Sequence, residues 1–105
     1  MTDAYPRTPD GRYFVANERL WRCSDPALSD ADRTLWVKAL MDARRAVKVA
    51  RTPEEKSAAR AAVQAAKVAL GERGPVWWDG DPTDWTRHHP RNTPYAAWWT
   101  AQQAT

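Results

Sequence analysis

SDADRTLWVKALMDARRAVKVARTPEEKSAARAAVQAAKVAL, residues 29–70, decides the architecture of this chain. Ser29 stands before Asp30 and Asp32, so a hydroxyl able to accept from unpaired backbone N–H groups sits beside acids that suit the positive end of a helix dipole. From there Trp36, Ala39, Leu40, Ala43, Ala46, Val47 and Ala50 recur at spacings of three and four, which puts them on one helical stripe. The pattern restarts at Thr52-Pro53-Glu54-Glu55. Thr52 can cap, Pro53 suits the first helical position, and Glu55 is placed to complete a capping box. Proline disfavours helical geometry in the residue before it, so the first helix is expected to end near Arg51. The second runs to Leu70, and Gly71 supplies the left-handed C-terminal position. The pattern predicts an antiparallel αα-hairpin over 29–51 and 53–70. With no glycine between the helices, one long helix kinked at Pro53 is the alternative.

On the second helix Lys56, Arg60, Gln64 and Lys67 form a narrow polar stripe, and nearly everything else is Ala, Val or Leu. So wide an apolar arc asks for more cover than one neighbouring helix gives. The tail is expected to supply it, with Tyr95, Trp98 or Trp99 against Ala58, Ala61, Ala65 or Val68. A second copy of the chain is the competing cover.

Working outward, residues 1–10 hold two prolines and little to bury, which predicts a flexible lead-in. Residues 11–24 read as a β-hairpin around Asn17-Glu18, pairing Val15 with Leu20, Tyr13 with Arg22 and Phe14 with Trp21. Glu tolerates such a tight turn poorly, so a longer loop is the other reading. A lone two-stranded ribbon is marginal in water; it calls for cover by the helices and a third strand, which Val76-Trp77-Trp78 could form. Residues 71–105 are an irregular aromatic tail dense in Gly, Pro and Asp, closing on a short helix capped by Thr93. The fold class is mainly α with a small β element (α+β).

The length of 105 residues predicts a single domain, 1–105, with a thin core. Seven tryptophans against one Phe give Trp the packing role that Leu and Ile have elsewhere. The formal charge of +3 is concentrated in the helical hairpin: residues 29–51 carry six bases against three acids. Cys23 is alone, which excludes a disulfide framework or thiolate metal cluster built from this sequence. The N-terminus shows no apolar targeting segment and no run reaches membrane-spanning length, so a cytoplasmic setting is expected.

GRYFV, RLWRCSDPALS, GERGPVWW and NTPYAAWW, with a basic Ala-rich helical stretch between them, carry a resemblance over residues 11–99. In these segments the chain resembles a family of small uncharacterised bacterial proteins. The resemblance implies a bacterial, soluble protein and transfers no catalytic residue.

Two constellations could carry function. Asp79, Asp84 and His88, near Asp81 and His89, offer the carboxylates and imidazoles of a metal-dependent hydrolase or nuclease. Their spacing matches no diagnostic motif, and turn-forming Asp with surface His is the simpler account of them. The other constellation interleaves Arg12, Tyr13, Trp21, Arg22, Arg73, Trp77 and Trp78, and adds the basic hairpin tip of Arg44, Lys48 and Arg51. Arginine forks beside aromatic planes suit nucleic acid as well as protein partners. The expectation is a non-catalytic binding module without cofactor or membrane association, engaging a protein partner, a second copy or nucleic acid.

Overall fold

The computed structural model describes residues 5–104. Their order is β1 (Tyr13–Ala16), β2 (Arg19–Arg22), α1 (Asp30–Val49), α2 (Pro53–Leu70), a 3₁₀ turn at Pro90–Asn92 and α3 (Ala96–Gln103). Contacts divide the chain into two compact units: Ser24–Trp77, and the two chain ends taken together, residues 5–23 with 78–104. Each has its own hydrophobic cluster.

The first unit is the antiparallel helical hairpin. Ser29 Oγ accepts from the Asp32 N–H at 3.0 Å and opens α1. Ala50 leaves helical geometry at ψ 134°, so the chain turns and does not continue as a kinked helix. Thr52 Oγ1 then accepts from Glu55 N–H at 3.1 Å. The reciprocal half of the capping box is displaced by one residue: Glu55 Oε2 accepts from the N–H of Arg51, at 2.7 Å. Gly71, at φ +84°, ends α2 in the left-handed conformation, and the N–H of Glu72 reaches back to the Lys67 carbonyl. The two outer ends are fastened together. Asp25 N–H donates to the Leu70 carbonyl at 2.8 Å, and Ser24 Oγ donates to Glu72 at 2.8 Å. A Cβ on Gly71 would meet Asp25 Cβ at 2.9 Å and Trp77 Cδ1 at 3.0 Å, so this corner admits no side chain without movement. Between the helices Leu40, Ala66 and Leu70 are buried, with Leu28, Trp36, Ala39 and Val63 against them.

The second unit is built on the β-hairpin. Its turn is Asn17-Glu18, both at positive φ (54° and 60°), and the register pairs Tyr13 with Arg22, Phe14 with Trp21 and Val15 with Leu20. Residues 6–8 are not a loose lead-in. The N–H of Val15 donates to the Pro6 carbonyl and that of Thr8 to the Tyr13 carbonyl, so this stretch lies along β1. Residues 1–4, the rest of the expected flexible lead-in, lie outside the described residues. On the other side, Leu20 exchanges both backbone hydrogen bonds with Arg87 and His88. The ribbon is thus flanked by these two stretches, and not by the third strand expected from Val76-Trp77-Trp78.

The expected position of the tail is also corrected. Trp78, Trp85, Tyr95, Trp98 and Trp99 pack on Tyr13, Val15 and Leu20. Ala58, Ala61 and Ala65 on α2 remain exposed, and Val68 is 40% exposed. The reason is the alternation of the strands: one face of the ribbon presents Tyr13, Val15, Leu20 and Arg22, and large rings cover it with more buried area than flat alanines offer. Thr93 does not cap α3 directly. Its Oγ1 accepts from the Tyr95 N–H and donates to the Pro90 carbonyl, and the helix begins at Ala96, later than a Thr93 cap implies.

Candidate functional site

Tyr13 and Arg22 are neighbours across the register, and the strand alternation turns both inward. Tyr13 is 0% exposed and its ring meets Trp78 and Tyr95 edge-on, with centroids at 5.5 and 5.7 Å. Its hydroxyl accepts from the Trp85 N–H at 2.9 Å and faces Asp84 Oδ1 at 3.4 Å. Arg22 meets the other oxygen of that carboxylate at 2.7 Å. Burial raises the Tyr13 pKa to about 12. Partial burial works against the charge of Asp84, but bonds from the Thr86 hydroxyl and N–H and from Arg22 outweigh it and hold the carboxyl below its ordinary range. Asp10 behaves alike: burial opposes its charge, and bonds from Tyr95 (2.6 Å), Thr8 (2.7 Å) and the Arg12 backbone prevail. This network locks the tail to the hairpin. It takes Tyr13 and Arg22, both expected on a binding surface, into the interior as structural groups.

Arg12 and Trp78 also meet, with the guanidinium 4.8 Å from the ring centroid and an Arg12 N–H directed at the Asp79 carbonyl. Trp21 is half-buried on the opposite face of the ribbon and donates its indole N–H to the Ala16 carbonyl at 3.0 Å. Trp77 is half-buried in the helical unit beside Gly71. The interleaved Arg/Trp set of the sequence is thus divided between the two units, with Arg73 and Trp77 in the helical one.

The hydrolase constellation is likewise dispersed. Asp84 is committed to Arg22 and Thr86, Asp79 is exposed, and His88 stands edge-on to Trp85 at 5.4 Å. His89 Nδ1 accepts the Arg91 N–H and caps the 3₁₀ turn. Among the described residues no three His, Cys, Asp or Glu side chains gather into a set that could hold a metal ion.

What does converge lies in the helical unit. Arg44 and Val47 of α1, Arg60 and Val63 of α2, and Arg73 beyond the α2 cap line an open groove of about 400 Å³. The valines are half-buried, and Arg44 and Arg60 are exposed. Arg73 is positioned by a 2.8 Å hydrogen bond from its Nη1 to Gln64 Oε1. No carboxylate lines the groove, and neither Arg44 nor Arg60 forms an ion pair among the described residues. Arg45, next in sequence to Arg44, behaves differently: it shares Asp42 with Lys38. Lys48 and Arg51, the remaining tip residues, are exposed on the same hairpin.

Sequence reasoning singled out Arg44 and Arg73 but did not bring them together with Val47 and Val63. A signal was present. RRAV at 44–47 and RAAV at 60–63 repeat an Arg-x-x-Val spacing, and antiparallel pairing sets the arginine of each helix near the valine of the other. No family model matches this chain, and no curated protein or solved structure matches it either.

Proposed function

We propose that this protein is a non-catalytic interaction module whose helical hairpin receives an anionic partner. The observation that supports this reading is the groove between α1 and α2, which three arginines and two valines line with no acid among them. Like charges brought together at a protein surface repel, and an incoming anion relieves that repulsion. Arginine presents planar donor forks to carboxylate and phosphate and is more weakly hydrated than lysine, so its desolvation on binding costs less. The exposed Lys48, Arg51 and Lys56 extend the positive field beyond the groove and steer an anionic partner toward it.

A protein partner with acidic side chains and a nucleic acid both satisfy this description. Binding of a polyglutamate chain and of single-stranded oligonucleotides, followed by fluorescence anisotropy, tests it. Affinity is expected to fall steeply with added salt, and Arg44→Glu, Lys48→Glu and Arg51→Glu together are expected to abolish it with helicity unchanged. Absence of binding to either polyanion at low salt overturns the reading. The dispersed Asp79, Asp84 and His88 lend no support to the metal-dependent hydrolase alternative.

No helix is long and apolar enough to cross a membrane among the described residues. With a lone buried Cys23 and no disulfide called for, we assign the module to a cytoplasmic setting. The likeness of its GRYFV, GERGPVWW and NTPYA segments to a family of small bacterial proteins supports a bacterial origin.

A further inference from the structure

We propose that the groove lined by Arg44, Arg60 and Arg73 is a site for a phosphomonoester, its phosphoryl group held by the three guanidinium groups and its apolar body laid on Val47 and Val63. The inference rests on the reading of the helical hairpin as an anion-binding surface, and names what the groove itself selects.

Charge and valence carry the first step. A carboxylate has two oxygens and one negative charge, and a single arginine fork satisfies it. Three arginines round one concavity match a group with three terminal oxygens and a charge of about −1.5 to −2 at neutral pH, which is a phosphate monoester. Arg73 is already oriented, because Gln64 holds one of its N–H groups at 2.8 Å, so less side-chain freedom is lost when an anion arrives.

The floor carries the second step. Val47 and Val63 are half-buried and would stay wet beneath a free phosphate ion. An ester with an apolar body covers them and gains from the surface removed from water. A volume of about 400 Å³ lies within the range of small-molecule sites and is too small for a duplex. No aromatic ring lines the groove, so base stacking is not what it selects.

The ligand's own titration gives the site a pH signature. The second ionisation of a phosphomonoester lies at about pH 6. Affinity therefore rises as pH increases through about 6 and then levels.

Calorimetric titration of the full chain with phenyl phosphate, inorganic phosphate and benzoate, at constant ionic strength, tests the proposal. One phenyl phosphate is expected per chain, with inorganic phosphate and benzoate each weaker by about tenfold or more. Arg60→Gln is expected to weaken phenyl phosphate by about tenfold or more, whereas Arg45→Gln, which removes the neighbour engaged with Asp42, leaves it unchanged. Val63→Ala is expected to weaken phenyl phosphate and leave inorganic phosphate as it was. Far-UV circular dichroism of each variant checks that the hairpin is intact. Equal affinity for phenyl phosphate and benzoate, or an Arg60→Gln chain that binds as the parent does, overturns the proposal. Salt-sensitive binding of polyglutamate or oligonucleotide without any phenyl phosphate binding also overturns it, while leaving the broader reading of the hairpin standing. Failure of all these ligands removes both.

Discussion

The helical unit and the hairpin–tail unit are held together in opposite ways. In Ser24–Trp77 the defining bonds are short in sequence: Ser29 to Asp32, Thr52 to Glu55 and Gly71 to Val68. One backbone bond, Asp25 to Leu70, closes the hairpin at its open end. In the other unit the decisive contacts join residues 62 to 85 positions apart, such as Arg22 with Asp84, Tyr13 with Trp85 and Tyr95 with Asp10. Closing a long loop costs entropy before any contact repays it. Hence the two chain ends meet around large aromatic rings and a bonded polar network, whereas the helices pack mainly through alanine and leucine, with Trp36 and Val63 against them, and end on good caps. The helical unit carries the candidate site on its exposed cations; the densely aromatic unit draws Arg22 into its interior.

Deleting residues 93–105 is the most severe way to break this comparison. It removes Tyr95, Trp98 and Trp99 from the ribbon, and loss of a buried large aromatic side chain typically costs about 3–5 kcal/mol out of a domain stability of about 5–15. The near-UV circular dichroism of the tryptophans is expected to collapse while the far-UV signal of α1 and α2 persists. Simultaneous loss of both would show a single cooperative block.

Gly71→Ala attacks the helical unit at its one crowded glycine. The positive φ costs about 1–2 kcal/mol for a residue with a side chain, and the contacts at 2.9 and 3.0 Å add about 1–3. Urea unfolding followed by helicity is expected to report a loss of that combined size. A loss below about 1 kcal/mol would mean that the corner relaxes freely.

Tyr13→Phe sharpens the comparison on the other side. It leaves the Trp85 N–H without its acceptor, at a cost of about 1–3 kcal/mol, and should be seen in tryptophan fluorescence during denaturant unfolding. The same network dictates how the unit responds to pH. Asp10 and Asp84 have lowered pKa values, so their contribution is present above the ordinary carboxyl value of about 4 and is lost as pH falls through their folded values. Tyr13 is raised, so its contribution is full below the ordinary value of about 10 and disappears toward about 12. Tyr95 is raised too, by burial and then by its bond to Asp10, and acts in the same direction. Near-UV dichroism is expected to fail before far-UV ellipticity at both extremes. Coincident transitions would contradict the division into two units.

The smallest effect belongs to Thr52→Ala, which removes the α2 cap at a cost of about 1 kcal/mol. Thermal unfolding monitored at the helical wavelength checks it, and the tryptophan signal of the other unit is expected to be unaffected.

Much of this molecule was legible in residue order. The caps at Ser29 and Thr52, the break before Pro53, the glycine stop at Gly71 and the Asn17-Glu18 turn act over one to four positions, so neighbours in sequence suffice to read them. Alternation also dictated that Tyr13 shares a face with Val15, and Phe14 with Ala16. It did not say which face is buried, because both carry large apolar groups; only the arrival of Trp78, Trp85 and Tyr95 on the Tyr13 side decided that Arg22 lies inside and Trp21 on the opposite face. Hydrophobic attraction is non-directional, so the apolar arc of α2 could not name its cover, and the tail expected there packs on the ribbon instead. The groove needed tertiary structure for the same reason. Arg44, Arg60 and Arg73 are 13 to 29 positions apart, and antiparallel register together with the turn beyond Gly71 brings them round Val47 and Val63.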